Sequence, residues 1–335
     1  MTKTLNILFT SVGRRVGLLE AFRRAMAGLG VKGRMLGADW SPLAPAFHLA
    51  DEGFLVPGVN SPEYVEALVD ICRRREVGLV IPLIDWELQV LAAARPRFAE
   101  AGTRVLVSSE RVTEICRDKK KTFEFLSAKG LGVPRLLTYE QAAKGPFPMI
   151  AKARYGSSAK GVHQVQSAGG LRRFRGKDAD VILQEYIKGP EFTVDVYAGL
   201  DGVPRVAVPR QRLQVRAGEV TKARTVRHMK IISEALQLVA ALAECVGVIT
   251  CQCRVARRSE VMFFDLNPRF GGGVPLSIRA GANFPRWIIQ EHLGEKPDLD
   301  PDAWEEGLVM LRYDAEIFVR REDLPDNGWT GAGED

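Results

Sequence analysis

Apolar residues recur along this chain in two rhythms, one in the first third and another after it. Residues 5–9 form a short apolar run, followed by Thr10-Ser11-Val12-Gly13-Arg14. Val16, Leu18, Leu19, Phe22 and Met26 then return at helical spacing, with Gly28 and Gly30 to stop the helix. Residues 35–38 predict a second strand ending at Asp39. Ser61-Pro62-Glu63 offers a cap, a first-turn proline and an early acid, and the helix it opens carries Val65, Leu68, Val69 and Cys72 on one side. Residues 77–84 predict a buried strand ending at Asp85. Such β-α-β alternation predicts a parallel sheet.

The rhythm changes beyond Asp118, which can cap a helix through Lys119-Lys120-Lys121 to Leu126 that ends near Gly130. Short strands joined by glycine turns follow at 149–153, 161–165, 181–186 and 191–198, a pattern of α+β type with mainly antiparallel pairing. A long helix is expected over 231–245. Two strands come next, 248–255 and 261–266, hinged at Ala256-Arg257-Arg258-Ser259, and the last ten or so residues read as a frayed tail.

Alternate residues of a strand share a face. In 191–198 one face is Glu191, Thr193, Asp195 and Tyr197, expected to meet solvent or a charged ligand. The other is Phe192, Val194, Val196 and Ala198. Arg210, Arg212, Gln214 and Arg216 fall on one face of the next run, either a solvated edge or an anion site. In 248–255, Ile249, Cys251 and Cys253 face a core, so Cys-x-Cys is packing rather than a metal site. Thr250, Gln252 and Arg254 face the other way. Phe263, Asp265 and Asn267 are expected to share a face. Gln252, Asp265 and Asn267 are hard oxygen donors that could converge on Mg²⁺, whose octahedron substrate phosphates usually help to complete. Capping and turn duty is the alternative use of Asp265 and Asn267. The glycines after them permit close backbone approach to a ligand. Residues 149–162, MIAKARYGSSAKGV, place Lys152 on a strand before a Gly/Ser loop whose amides could cradle phosphate.

The 335 residues carry a formal charge of +6, with no basic block interleaved with aromatics, so solvated faces account for the excess and no nucleic-acid partner is expected. Five cysteines without zinc spacing suggest free thiols in a reducing compartment. The N-terminus reads as a strand, and no apolar run approaches the ~20 residues of a membrane span, so a cytoplasmic protein is expected.

Taken in order, these pieces resemble the ATP-grasp superfamily, most closely proteins related to the carbamoyl phosphate synthase large chain. The blocks are SVGRR with IPLIDWELQVLA, then DKKKTFEFLSAKGLGVP, MIAKARYGSSAKGV, ILQEYIKGPEFTVDV, and VITCQCRV with FFDLNPRFGGG. The resemblance implies an α/β plus α+β chain: a Rossmann-like pre-ATP-grasp domain (1–115), a small lid subdomain (116–188), a C-terminal catalytic subdomain (189–322) and a flexible tail (323–335). By position, Lys119 would contact the α-phosphate, with Lys120 and Lys121 as alternative registers. Lys152 would reach the α/β-phosphates. Gly156, Ser157, Ser158 and Gly161 would close over the β/γ-phosphates. Glu185, Tyr186 and the Ile187 backbone would hold adenine, and Glu191 the ribose. Gln252, Asp265 and Asn267 would hold Mg²⁺ (two ions), and Arg269 would face the transferred phosphoryl group or the acyl substrate. Arg210, Arg212 and Arg216, with Lys222 on the following loop, become an anchor for an acidic substrate. Two departures stand out: Asp265 replaces the usual Glu, and Ser157-Ser158-Ala159 replaces a richer glycine run.

The function implied is ATP-dependent joining of a small carboxylic or amino acid to an amine through an acyl phosphate, by a chain that could pair as a homodimer. Carboxylate or carbamate phosphorylation is a close variant. An NAD-dependent oxidoreductase, with Asp39 as the ribose acid, lacks a GxGxxG turn. A non-catalytic nucleotide-binding scaffold would have no need of the oxygen trio.

Overall fold

The computed structural model describes residues 3–156, 161–177 and 179–325. The chain divides into two compact units, one running to Val107 and resuming at Tyr313, the other Ser108–Arg312.

The first unit holds a five-stranded parallel sheet: β1 (Asn6–Thr10), β2 (Met35–Asp39), β3 (Glu52–Leu55), β4 (Val77–Pro82) and β5 (Arg104–Val105), in the order β3-β2-β1-β4-β5. The helix Val16–Gly28 buries Leu18, Leu19, Phe22 and Met26, the positions the periodicity selects. Ser61 does not cap the next helix, which starts later, Tyr64–Arg74; its hydroxyl bonds Glu63 instead. The backbone N–H groups of Gly13 and Ser41 donate to the two oxygens of Asp39, at 2.8 and 3.0 Å. That carboxylate is thus engaged by its own turn and by the loop after β1, which weakens the support for a ribose acid there. A buried carboxylate the sequence reading missed, Glu87, accepts from the Leu83 and Ile84 amides and the Ser11 and Tyr64 hydroxyls. Burial raises its pKa.

The second unit has two sheets. The smaller joins β6 (Leu136–Leu137), β7 (Met149–Ala153), β8 (His163–Val165) and β9 (Val181–Glu185) in the order β6-β9-β7-β8. The larger joins β10 (Glu191–Ala198), β11 (Pro204–Arg216), β12 (Glu219–Thr225), β13 (Gly247–Val255), β14 (Val261–Asn267) and β15 (Val309–Leu311) in the order β14-β13-β10-β11-β12-β15. All pairings in both are antiparallel. The helix Met229–Leu242 lays Ile231, Ala235, Leu238, Val239 and Leu242 into a core formed with Phe192, Val194, Val196, Ile249, Cys251 and Cys253. It stops short of the expected 245, where Ala243 and Glu244 take positive φ.

Three expectations about strand faces need correction. The polar face of β10 does not meet solvent: Asp195 and Tyr197 are fully buried. Helices after β14 cover it, with Ser277 on Asp195 and the Phe284 ring stacked on Tyr197. The row of guanidiniums on β11 is not uniform either. Arg210 is buried, Arg216 is exposed, and the ladder shifts register on both sides of Gln214. Lys222 lies on β12, paired with Gln214, and not on a loop. Finally, Phe263 and Asp265 do not share a face. Cys253 pairs with Phe263 but Gln252 pairs with Asp265, so Phe264 is an inserted residue. This bulge sends Phe263 into the core and Asp265 to the opposite side beside Gln252.

The five cysteines are free and buried. No described helix is long and apolar enough to cross a membrane. The expected tail falls mostly on 326–335, and Ser157 and Ser158 also lie outside the described residues.

Candidate active site

Two lysine-bearing segments meet first. Asp118 caps the helix Lys119–Ala128, accepting from the Lys120 and Lys121 amides. The same carboxylate takes a bidentate contact from Arg154 (2.6–3.0 Å) and the Tyr155 hydroxyl (3.2 Å). Burial opposes its charge, but Arg154 and the two cap amides outweigh that and hold its pKa below the usual range. The Lys119 N–H donates to the Arg154 carbonyl at 3.1 Å. This pins the start of the helix to the end of β7, two residues past Lys152.

Both lysines then reach β14. Lys119 Nζ donates to the Gly156 carbonyl (2.5 Å) and stands 3.9 Å from Asp265 Oδ1. Lys121 pairs with Glu114 and Lys120 is exposed, so of the three lysines the structure brings Lys119 to the trio. Lys152 is 5% exposed, and its Nζ donates to the Phe264 carbonyl at 2.9 Å. The bulge supplies that acceptor, because an inserted residue drops out of the ladder. Burial lowers the Lys152 pKa to about 8; Asp265 works against this and Lys119 adds to it.

Gln252, Asp265 and Asn267 stand side by side, but their oxygens do not converge. Gln252 Nε2 and Asn267 Nδ2 both donate to Asp265 Oδ2, at 3.3 and 3.1 Å. Their amide oxygens turn outward, Gln252 Oε1 to Arg212 (3.2 Å) and Asn267 Oδ1 to Arg269 (3.3 Å). Arg212 also pairs with Glu191 Oε1 at 3.2 Å, and Arg254 takes Glu191 Oε2 at 2.5 Å. A single chain of polar contacts thus runs from Glu191 through Arg212, Gln252, Asp265 and Asn267 to Arg269. Burial and the neighbouring Arg210 lower the Arg212 pKa, against Glu191. Arg254 was legible as a facemate of Gln252 but was given no role. Arg154, two residues beyond Lys152, was missed altogether.

The expected adenine segment crosses between the two sheets. Glu185 accepts from the Arg135 N–H at 2.9 Å, and the Arg254 guanidinium lies over the Tyr186 ring. Ile187 follows. At Gly189 a Cβ would lie 1.9 Å from the Val255 carbonyl oxygen, so only glycine lets the crossing hug β13. The loop glycines Gly156 and Gly161 both take positive φ. Arg210 is a correction. It is 1% exposed and bidentate on Asp195 at 2.7 and 2.9 Å, so its charge is already matched within the protein.

As a metal site the donor set is spare. Among the described residues no three His, Cys, Asp or Glu side chains gather. One carboxylate with two amide groups fits Mg²⁺, which is commonly held by one or two carboxylates while phosphate oxygens and water fill the rest.

Two family models match the chain: "PylC-like, N-terminal domain" over residues 7–106 and "ATP-grasp in the biosynthetic pathway with Ter operon" over 177–315. No curated protein matches the sequence. Among solved structures of similar fold is a biotin carboxylase from Campylobacter jejuni, with TM-score 0.72, 16% identity, and 91% of this chain on 74% of that one. The biotin carboxylase domain dimer of the Hydrogenobacter thermophilus 2-oxoglutarate carboxylase, with MgADP and bicarbonate, gives 0.69, 15%, 90% and 73%. An L-amino acid ligase from Bacillus licheniformis gives 0.68, 18%, 88% and 75%. These identities speak to fold; the two family matches give the chain a PylC-like domain over residues 7–106 and an ATP-grasp domain over residues 177–315.

Proposed function

We propose that the chain is an ATP- and Mg²⁺-dependent ligase that joins a small carboxylic or amino acid to an amine through an acyl phosphate, releasing ADP and phosphate. One observation carries this reading. Lys119 and Lys152, far from β14 in sequence, converge on Asp265 and on the carbonyl just before it. Two cations beside one carboxylate are a poor arrangement for the empty protein and a good one for a triphosphate.

In this reading the smaller sheet is the lid and the larger the catalytic subdomain. Lys119 contacts the α-phosphate and Lys152 the α/β-phosphates. Gly156 and Gly161 lie against the β/γ-phosphates. Glu185 and the Ile187 backbone hold adenine beside Tyr186. Glu191 takes the ribose, sharing its oxygens with Arg212 and Arg254. Gln252, Asp265 and Asn267 would hold the two Mg²⁺ ions. The metal, when bound, would neutralise charge on the transferring phosphoryl group. Arg212 and Arg269, on either side of the Gln252–Asp265–Asn267 trio in the polar chain, orient the acyl group and exclude water from its phosphate. Arg210 is not carried forward as a substrate contact. The similar fold of an L-amino acid ligase supports an amino-acid substrate, and a structure with MgADP supports the cofactor set. A homodimer belongs to the proposal as well.

Phosphate release from Mg·ATP over a pool of amino acids and amines, with the product identified by mass, tests the reading. Asp265→Ala and Lys152→Ala should abolish turnover in folded protein. Wild-type turnover in both would refute the assignment.

A further inference from the structure

The glycine run after β14 is short of space rather than of rotational freedom. Gly273 has φ −94, open to any residue. Yet a Cβ there would stand 2.2 Å from Arg210 Nη1 and 2.8 Å from Val220 Cγ1, and one at Gly271 would stand 3.0 Å from the Thr250 side chain. What the missing side chains admit is the protein's own sheet, pressing on the turn from beneath.

Behind those contacts lies Asp195, fully buried. It accepts from Arg210 Nε and Nη2 and from Ser277 Oγ at 2.6 Å. The Thr250 hydroxyl lies 3.4 Å from Asp195 Oδ1 and 3.0 Å from the Arg269 carbonyl oxygen. It has one proton, which goes to the nearer acceptor. Arg269 in turn donates its N–H to the Asn267 carbonyl (2.8 Å) and its guanidinium to the Asn267 side chain. The turn is therefore held at two points: the Thr250 hydroxyl fixes the backbone carbonyl of Arg269, and the buried Asp195–Arg210 pair packs against Gly273. Arg210 Nη1 is buried, has no hydrogen-bond partner among the described residues and faces Gly273, so the turn rests on a bidentate, geometrically fixed guanidinium.

We infer that Asp195, Arg210 and Thr250 are positioning residues: a buried brace that sets the 267–273 turn and with it the aim of Asn267 and Arg269. This rests on the ligase reading, since it assigns the brace to phosphoryl transfer. A displacement near 1 Å in a catalytic group can cost up to a hundredfold in rate, so the brace needs to hold only tenths of an ångström to matter.

Thr250→Val keeps the shape and removes the hydroxyl, while Thr250→Ser keeps the hydroxyl. Three readouts are taken together: phosphate release from Mg·ATP over the amino-acid and amine pool, Mg·ADP affinity by calorimetry, and thermal unfolding. Thr250→Val should lower the maximal rate at least tenfold with Mg·ADP affinity changed less than threefold, and Thr250→Ser should restore it. In an Arg269→Lys background, Thr250→Val should cost clearly less than it does alone, because part of its effect runs through the Arg269 side chain. A Thr250→Val rate within twofold of wild type overturns the brace while leaving the ligase reading intact. So does a loss that merely follows the loss of folded protein, or that multiplies in full with Arg269→Lys. A wild-type chain that releases no phosphate from Mg·ATP overturns the ligase reading and the brace's catalytic role with it.

Discussion

Lys152 provides the sharpest quantitative test. Its ammonium is buried, and one carbonyl at 2.9 Å accepts from it. Its pKa falls from the ordinary 10.5 to about 8. The sign follows from linkage. Between those two values the unfolded chain binds more protons than the folded one, so the nucleotide-free protein gains stability as pH rises through that window. The gain across that window amounts to about 3 kcal/mol, at about 1.36 kcal/mol for each pH unit between 8 and 10.5. Polyphosphate placed beside Lys152 reverses the effect by favouring the charged form. If binding restores an ordinary lysine pKa, Mg·ADP takes up about half a proton at pH 8 and about 0.9 at pH 9. Phosphate groups with pKa near 6 stay ionised in that range and contribute little. Calorimetric titration in two buffers of different ionisation enthalpy measures the uptake, since the apparent enthalpy varies with the protons drawn from buffer. The Lys152→Met variant should bind weakly and show no buffer dependence. A wild-type enthalpy equal in both buffers at pH 9, or a Lys152→Met slope like that of wild type, would refute the reasoning.

Asp195→Ala leaves Arg210 buried and unpaired and should lower stability by about 3–5 kcal/mol, read from urea unfolding. Leu238→Ala, in the core beneath β10 and β13, should cost about 2–5 kcal/mol while leaving Mg·ADP affinity of the folded protein near wild type. Gly189→Ala forces the crossing away from the Val255 carbonyl and should weaken Mg·ADP binding tenfold or more, with a smaller effect on melting temperature; an unchanged dissociation constant would separate that crossing from the nucleotide.

What the sequence made legible depended on how local the cause was. The parallel sheet and the helices packed on it follow from period and punctuation, and both survive in the structure with shifts at their ends. The alternation along β13 read correctly because its ladder with β10 is regular from Gly247 to Arg254, so Cys251 and Cys253 went to the core and Gln252 to the site. Alternation misled at Asp195. It gives a side chain's face but not what will cover that face, and the cover came from helices some eighty residues later. Glu87 went unnoticed because an acid in the first turn of a helix is commonplace, and only the Tyr64 and Ser11 contacts distinguish it. Nor does a lysine triplet reveal which member points inward; that is decided by Asp118 and Arg154.

The bulge at Phe264 has a consequence for recognising such sites in other chains. Counting by twos from Phe263 would bury the carboxylate among hydrocarbon, and one additional peptide unit inverts the parity. A chain with the same acid and amide but lacking that unit would have matching letters and no site. Its lysine would also lack the carbonyl on which Lys152 is seated.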